Sequence, residues 1–135
     1  MDCIFCKIIA GEISSNKIYE DDKVVAFLDI NPVNPGHVLV VPKAHYELMA
    51  QMQENALSAV VGAVNRVSQG VLKAVGADSF NLYLNNGKTA GQLVPHFHWH
   101  IIPRHSGDGL ELWHGKAYGE GEAQIVAKKI KENLS

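Results

Sequence analysis

The stretch "HFHWHIIPRH", residues 96–105, holds four of the seven histidines in the chain. Three of them, His96, His98 and His100, occupy alternate positions, and large apolar residues fill the gaps between them. On a β-strand, side chains two positions apart lie on the same face. The pattern therefore predicts a strand over 96–103 with one histidine face and one apolar face, the apolar face lying beneath a helix.

Hydrophobic periodicity in the rest of the chain predicts further strands and three helices. Apolar residues recur at helical spacing through the middle of the sequence, and Gly76 is a typical helix stop. An irregular, glycine-rich segment follows the histidine run. The predicted elements are strands over 23–29, 37–42, 79–87 and 96–103, a long helix over 55–75, and short helices over 3–10 and 123–134. Together they indicate an α+β fold, an antiparallel sheet of about five strands covered on one face by the long helix.

Length and composition narrow the class of protein. The chain has 135 residues, 47% of them hydrophobic, which predicts a single domain over 1–135. The net charge of -2 argues against a nucleic-acid binder but leaves room for a pocket that holds one nucleotide. The start "MDCIFCKIIAGE" does not resemble a signal peptide, and no segment approaches the roughly 18 apolar residues of a membrane span. We therefore expect a cytoplasmic protein with no membrane partner and with reduced cysteines.

Three interpretations of the alternate histidines remain open from the residues alone. They are incidental surface residues, or ligands of a metal ion, or the machinery of phosphoryl transfer. In the third case one neutral imidazole attacks phosphorus and its neighbours donate hydrogen bonds to the phosphate oxygens. Imidazole suits both roles because it titrates near neutral pH.

Four segments of the chain resemble, in order, the histidine triad (HIT) family, specifically the bacterial form of its nucleotide-binding branch. They are "CIFCKIIAGEI", "AFLDINPVNPGHVLVVPKAH", "LNNGKTAGQ" and "HFHWHIIPR". The resemblance runs from Cys3 to about Arg104 (3–104), and 105–135 is a variable C-terminal segment. It implies a single HIT domain and a homodimer in which two sheets join.

The resemblance also implies an activity and roles for four histidines. His98 would attack the α-phosphorus of a purine nucleoside 5′-phosphoramidate, or of a related mixed anhydride, and form a nucleotidyl-histidine that water then hydrolyses. His100 would contact a phosphate oxygen, His37 would lie behind the triad and help to orient it, and His96 is the first triad member. The alternatives are a dinucleoside polyphosphate hydrolase, a zinc hydrolase, and a purine nucleotide-binding protein with little turnover.

Further positions match the family's substrate-binding residues. Asp29 corresponds to a carboxylate that accepts from the ribose hydroxyls, and its strand phase places it on one face with Phe27. For Phe27 and Leu39 a plain core position is an equally good interpretation. The implied base pocket is Phe5, Ile8, Ile13, Phe27, Ile30 and Leu39, and the polar residues near the phosphate are Asn85 and Gln92.

The two cysteines complete a possible zinc site. A Cys-x-x-Cys pair alone is weak evidence, but with His45 and His96 the resemblance implies a Cys₂His₂ set. We expect Cys3, Cys6, His45 and His96 to hold one structural zinc per chain that takes no part in the chemistry. The alternative is a pair of buried free thiols with His45 on the surface.

Two features depart from the family pattern. Leu93 follows the glutamine of "GQ", where several relatives carry a hydroxyl that bonds the leaving group. The C-terminal segment, with Trp113 and His114, shows little match. The natural leaving group and the preference between adenine and guanine therefore stay open.

Overall fold

The computed structural model describes residues 2–134 as one five-stranded sheet with helices on both faces. Two short 3-10 turns, Met49–Gln51 and Lys88–Ala90, interrupt the loops. In chain order the elements are α1 (Ile4–Ile9), β1 (Lys17–Glu20), β2 (Val24–Leu28), β3 (Val38–Pro42), α2 (Glu54–Val75), β4 (Ser79–Leu84), β5 (Trp99–Arg104) and α3 (Glu122–Glu132). This arrangement confirms the predicted α+β class.

The strand order is β1-β2-β3-β5-β4, and every neighbouring pair is antiparallel. The register brings three side chains of different strands side by side. His100 of β5 pairs with Leu39 of β3 on one flank and with Tyr83 of β4 on the other. Since β4 and β1 are the two edge strands, His100 lies one strand in from the β4 edge.

Helix α2 covers one face of the sheet, as the sequence predicts. Its buried residues Val60, Val64, Val67 and Val71 form a core cluster with residues of the strands. The helix ends at Gly76, whose φ of 69° is a left-handed conformation that favours glycine. The residues between the triad histidines belong to this core: Phe97 and Ile101 are buried in it and Trp99 packs against it.

A second, smaller core cluster lies on the opposite face, where α1 meets the sheet. Phe5 and Ile8 of the helix pack with Phe27 and Leu39 of the strands. The rings of Phe5 and Phe27 meet edge to face, with centroids 5.5 Å apart. The Cys3 side chain caps the helix by accepting from the Cys6 amide at 3.5 Å. The histidine face is therefore lined partly by α1, which the sequence predicted as a separate element.

The predicted strand over 96–103 begins later than expected. The structure starts β5 at Trp99, so His96 and His98 precede the strand. Their backbone follows another path because the Phe97 amide donates to the carbonyl of Tyr46 at 2.6 Å instead of to a sheet neighbour. The three imidazoles still lie on the side of the sheet opposite α2, but His96 is free to turn away from the other two.

Other boundaries also differ from the predictions. The strand predicted over 79–87 ends at Leu84, because the chain turns through Gly87 at a φ of 96°. Asn85 therefore lies in the loop. The sequence did not assign β1, a four-residue edge strand whose side chains are mostly exposed and so show no clear alternation.

The C-terminal segment is tied to the sheet by one ion pair. The Arg104 guanidinium donates to both carboxylate oxygens of Asp108, at 2.8 and 3.0 Å, and to the carbonyl of Leu110 at 3.1 Å. This contact holds the pKa of the Asp108 carboxyl well below its usual range. Beyond it, α3 buries none of its residues. Within residues 2–134, no helix combines the length and apolarity that a membrane crossing needs.

Candidate functional site

A cavity of about 460 Å³ opens beside α1, on the face of the sheet opposite α2. Its lining combines apolar side chains with two imidazoles and a carboxylate. The lining includes the following residues singled out in the sequence: Phe5, Ile8, Ile13, Phe27, Asp29, Ile30, Leu39, Asn85, Leu93, His98 and His100. A mostly apolar cavity with a few convergent polar groups is typical of small-ligand binding.

His98 is held as one tautomer. Its Nδ1 lies 2.7 Å from the carbonyl oxygen of His96, an acceptor, so Nδ1 carries the hydrogen and Nε2 keeps its lone pair. Phe5 packs edge to face against the ring at 5.1 Å. Burial lowers the pKa of His98, so the ring is neutral at neutral pH. A neutral imidazole with a bare nitrogen has the properties of a nucleophile.

A chain of hydrogen bonds fixes the hydrogen on His100. The backbone amide of Val33 donates to Nδ1 of His37 at 3.1 Å, so the other nitrogen of His37 carries its hydrogen. That Nε2 lies 2.9 Å from Nδ1 of His100 and donates to it. His100 in turn must carry its hydrogen on Nε2. The structure therefore places His37 against His100, and this chain of hydrogen bonds is a physical basis for the orienting role that the sequence predicts for it.

His100 is kept uncharged by its surroundings. Burial, followed by the neighbouring His98 and His37, lowers the pKa of His100 to about 3. The ring of Tyr83 stacks on it with centroids 4.4 Å apart and planes 18° apart. His100 can therefore act as a neutral N–H donor over a wide pH range.

Asp29 lies directly after β2 at the border of the cavity. Its Oδ1 accepts from the backbone amide of Asn31 at 2.9 Å, and its Oδ2 is 3.7 Å from Nε2 of His37. The backbone amide of Asp29 donates to the carbonyl of His37 at 3.0 Å. These contacts fix a partly exposed carboxylate next to the imidazoles, with lone pairs free to accept further hydrogen bonds.

The four predicted metal ligands converge beneath α1. One donor atom from each of Cys3, Cys6, His45 and His96 lies within 4.8 Å of the other three. Nδ1 of His96 is 3.4 Å from Sγ of Cys3 and 3.1 Å from Nδ1 of His45. Tetrahedral zinc with ordinary bond lengths places its nitrogen and sulfur ligands about 3.6 Å apart and two nitrogens about 3.3 Å apart. The donor set and its spacing therefore fit zinc.

A backbone contact prepares His96 for this role. Its Nε2 lies 2.9 Å from the carbonyl oxygen of Pro42, so Nε2 carries the hydrogen and Nδ1 faces the cysteines with a lone pair. Burial lowers the pKa of His96, which favours the neutral form that binds metal. His96 thus leaves the other two triad members and joins the cysteine cluster.

The prediction for Gln92 needs correction. Its side chain is buried and does not line the cavity. Its Nε2 donates to the carbonyl of Glu47 and its Oε1 accepts from the amide of Gly87, both at 2.8 Å. Both ends of the amide are therefore used to hold two loops together. Asn85, its predicted companion near the phosphate, does line the cavity.

Sequence reasoning missed Tyr83 as part of this site. Its side chain lines the cavity and covers a flat face of His100. The alternation of side chains along the predicted strand places Tyr83 on the same face as Asn85, and this pattern could have indicated the site. The sequence does not show that β4 pairs with β5, because the residues of an edge strand do not identify its neighbour.

Residues 10–107 match the HIT domain, and the chain belongs to the HIT family. An uncharacterised HIT-like protein of Methanocaldococcus jannaschii is 54% identical over 96% of this chain and 98% of its own length. An adenosine 5′-monophosphoramidase of Schizosaccharomyces pombe is 41% identical over 99% of both chains.

Solved structures give the same family and the same fold. A HIT family member from Bacillus subtilis superposes with a TM-score of 0.91 at 38% identity, covering 100% of this chain and 99% of that one. A zinc-bound histidine triad protein from Mycobacterium smegmatis superposes with a TM-score of 0.78 at 30% identity, covering 99% of both chains. The predicted family and fold are thereby confirmed.

Proposed function

We propose that the protein is a nucleotide-binding hydrolase that cleaves the phosphorus–nitrogen bond of purine nucleoside 5′-phosphoramidates through His98. The observation that carries this proposal is the bond from His98 Nδ1 to the His96 carbonyl, which leaves the second nitrogen bare in a ring that lines the cavity. The S. pombe relative, an adenosine 5′-monophosphoramidase, supports this choice of substrate.

The proposed reaction has two steps. Nε2 of His98 attacks the α-phosphorus, the phosphorus–nitrogen bond to the leaving amine breaks, and the amine departs with a proton taken from solvent. Water then attacks the same phosphorus and gives its proton to solvent, the bond to Nε2 breaks with its electron pair returning to that nitrogen, and the nucleoside monophosphate leaves. His100 donates from its own Nε2–H to a phosphate oxygen in both steps, and it does so without titrating near neutral pH.

The cavity lining offers groups for each part of a nucleotide. The apolar side chains of Phe5, Phe27 and Leu39 are proposed to hold the base, and Asp29 to accept hydrogen bonds from the ribose hydroxyls. Asn85 lines the same cavity as His98 and His100 and is proposed to contact the phosphate. Leu93, 91% exposed at the rim, offers no side-chain donor to the leaving group.

We further propose that Cys3, Cys6, His45 and His96 hold one zinc ion. Bound zinc would cross-link α1 to two loops, because Cys3 and Cys6 belong to the helix and its cap, while His45 follows β3 and His96 precedes β5. Four protein ligands leave no open position, so the role is structural. The fit of the donor distances and the zinc-bound M. smegmatis structure support this assignment.

We also propose that the chain forms a single domain over 1–135 and assembles as a homodimer. Strand β4 is an edge strand and carries two exposed apolar side chains, Phe80 and Leu82. An uncovered apolar edge strand invites pairing with another copy. Light scattering on the purified chain, with Leu82→Lys as the disrupting variant, tests the dimer.

The test of the proposed activity is AMP release from adenosine 5′-phosphoramidate. We expect His98→Ala to lower kcat at least about a thousandfold, because nucleophile removal leaves only the contribution of binding. His105→Ala, which removes a histidine outside the cavity, is the matched control and should keep the wild-type rate. Equal rates for wild type and His98→Ala would overturn the mechanism. A wild type that releases no AMP, but that cleaves a diadenosine polyphosphate, would overturn the substrate class.

A further inference from the structure

We propose that Tyr83 is a positioning residue for His100, whose stacked ring holds the imidazole so that its Nε2–H is directed at the reacting phosphate. This inference rests on the proposed function, because it assigns a task to His100 in that reaction. Tyr83 acts through His100 and need not touch the substrate itself.

The sheet register creates the stack. Tyr83 of β4 and His100 of β5 are directly paired residues, so their side chains leave the sheet side by side on the same face. Their ring centroids are 4.4 Å apart and their planes differ by 18°. A nearly parallel arrangement at this distance is an offset stack that covers part of one face of the imidazole.

The other contacts of His100 leave its tilt undetermined. The hydrogen bond from His37 fixes the position of Nδ1 but allows the ring to rock about that point. His98 meets the ring at 4.8 Å with planes 60° apart, which limits motion from one direction. The χ2 angle of histidine has a broad energy minimum, so packing must select the orientation. The flat surface of Tyr83 provides that selection.

Tyr83 borders two cavities. It lines the cavity that contains His98 and His100, and it lines a second cavity of about 500 Å³ that includes Arg104 and Trp113. Loss of the aromatic ring would therefore open space beside His100 and admit water to the face that the ring covers. Water there competes for the Nε2–H and loosens the ring.

The proposal assigns the positioning role to the aromatic ring of Tyr83 and gives its hydroxyl no role. A planar ring is what the stack requires, so Tyr83→Phe should substitute and Tyr83→Leu should not. Because small misplacements of a reacting group cost up to about a hundredfold in rate, we expect Tyr83→Leu to lower kcat about ten- to a hundredfold. We expect KM to change less than kcat, since a residue that acts by orienting the His100 donor affects the transition state more than ground-state binding.

The kinetic test measures AMP release from adenosine 5′-phosphoramidate by wild type, Tyr83→Phe, Tyr83→Leu and Tyr118→Leu. Tyr118 is 63% exposed in the C-terminal segment, so Tyr118→Leu controls for loss of an aromatic residue. A Tyr83→Leu rate equal to wild type would overturn the proposal. A Tyr83→Phe rate as low as that of Tyr83→Leu would also overturn it, because the hydroxyl would then be the working group.

A spectroscopic test follows the imidazole itself in the free protein. Long-range ¹H–¹⁵N correlation of ¹⁵N-histidine protein reports which ring nitrogen carries the hydrogen. We expect the Nε2–H tautomer of His100, which His37 fixes, in wild type, Tyr83→Phe and Tyr83→Leu. In Tyr83→Leu the His100 signals should broaden, because the ring is no longer held at one tilt. An unchanged His100 spectrum in Tyr83→Leu would overturn the positioning role. Tyr83→Val, which suits a strand, replaces the leucine variant if that one does not fold.

The two tests distinguish failure of this inference from failure of the proposed function. Wild-type turnover and His98→Ala decide the function before any Tyr83 variant is compared. If the wild type proves inactive on phosphoramidates, the widths of the His100 signals still decide whether Tyr83 holds the ring.

Discussion

Two triad histidines that are two residues apart show opposite uses of the same side chain. His96 donates from Nε2 to the carbonyl of Pro42, which leaves Nδ1 toward the cysteines. His98 donates from Nδ1 to the carbonyl of His96, which leaves Nε2 bare. In each case one backbone carbonyl decides which nitrogen is free. A sequence of alternating histidines can therefore supply both the proposed metal ligand and the proposed nucleophile.

The strand boundary makes this division possible. If β5 had begun at His96, the side chains of His96, His98 and His100 would all lie on the same face of one strand. Because the strand begins at Trp99, His96 turns into the protein and is fully buried, while His98 lines the cavity. The cysteine cluster (Cys3, Cys6, His45 and His96) and the two imidazoles that line the cavity (His98 and His100) should consequently respond to different mutations.

The largest effect is expected from removing the cysteine cluster. Cys3→Ser with Cys6→Ser should abolish zinc binding and lower the free energy of unfolding by about 3 kcal/mol or more, since metal binding is coupled to folding. Metal analysis and urea unfolding measure both quantities, with the single variant Ser14→Ala as a control. If the double variant kept its zinc and its stability, the division into two clusters would be wrong.

Replacement of His100 should affect the reaction and leave the cysteine cluster intact. We expect His100→Ala to lower kcat about a hundred- to a thousandfold, the usual cost of losing one transition-state donor. His100→Gln keeps an N–H near the position of Nε2 and should recover part of the rate. Zinc content should stay at the wild-type value in both variants. A parallel loss of zinc would mean that the clusters are not independent.

The pH dependence of stability provides a third test. The pKa of His100 is about 3 in the folded protein, against about 6.5 in an unfolded chain. Between about pH 6.5 and about pH 3 this histidine is protonated in the unfolded chain but not in the folded protein. Protonation therefore favours the unfolded chain, and the free energy of unfolding falls as the pH falls. Replacing His100 with glutamine should reduce the slope of unfolding free energy against pH by up to about 1.4 kcal/mol per unit.

Urea unfolding of both proteins between pH 5 and pH 6.5 measures that difference. Above about pH 7.5 the two slopes should coincide, because the histidine is then neutral in both states. Identical slopes over the acid range would show that His100 is not held neutral by its surroundings.

The smallest effect is expected at the rim of the cavity. Leu93→Ser introduces a hydroxyl beside the leaving group, where the side chain is 91% exposed. We expect kcat to rise by up to about tenfold for one added hydrogen bond, with no change in stability. Leu93→Ala is the control, because it removes the leucine without adding a donor. A gain that Leu93→Ala matches would assign the effect to space instead of hydrogen bonding.

Periodicity predicted those parts of the structure that depend on short-range pattern. Spacing along one element predicted the α2 helix with its Gly76 stop and the burial of Phe97 and Ile101. It also predicted the shared face of Phe27 and Asp29. The grouping of Cys3 and Cys6 with His45 and His96 rested on the family resemblance. The structure brings these four together as donors, which no spacing rule alone would have given.

The predictions that needed correction depend on contacts between distant segments. Gln92 was predicted to lie near the phosphate, but its amide bonds with Glu47 and Gly87 across two loops. The start of β5 shifted because the Phe97 amide finds the carbonyl of Tyr46. Neither partner can be inferred from local residues, since loop contacts are set by the tertiary fold.

The most direct test of the central claim is to locate the covalent intermediate. Wild-type protein is mixed with adenosine 5′-phosphoramidate, quenched in milliseconds, digested and analysed by mass spectrometry. The account predicts an adenylyl group on His98, an unmodified His96, and no adduct in His98→Ala. An adduct on another residue, or turnover without any adduct on His98, would contradict it.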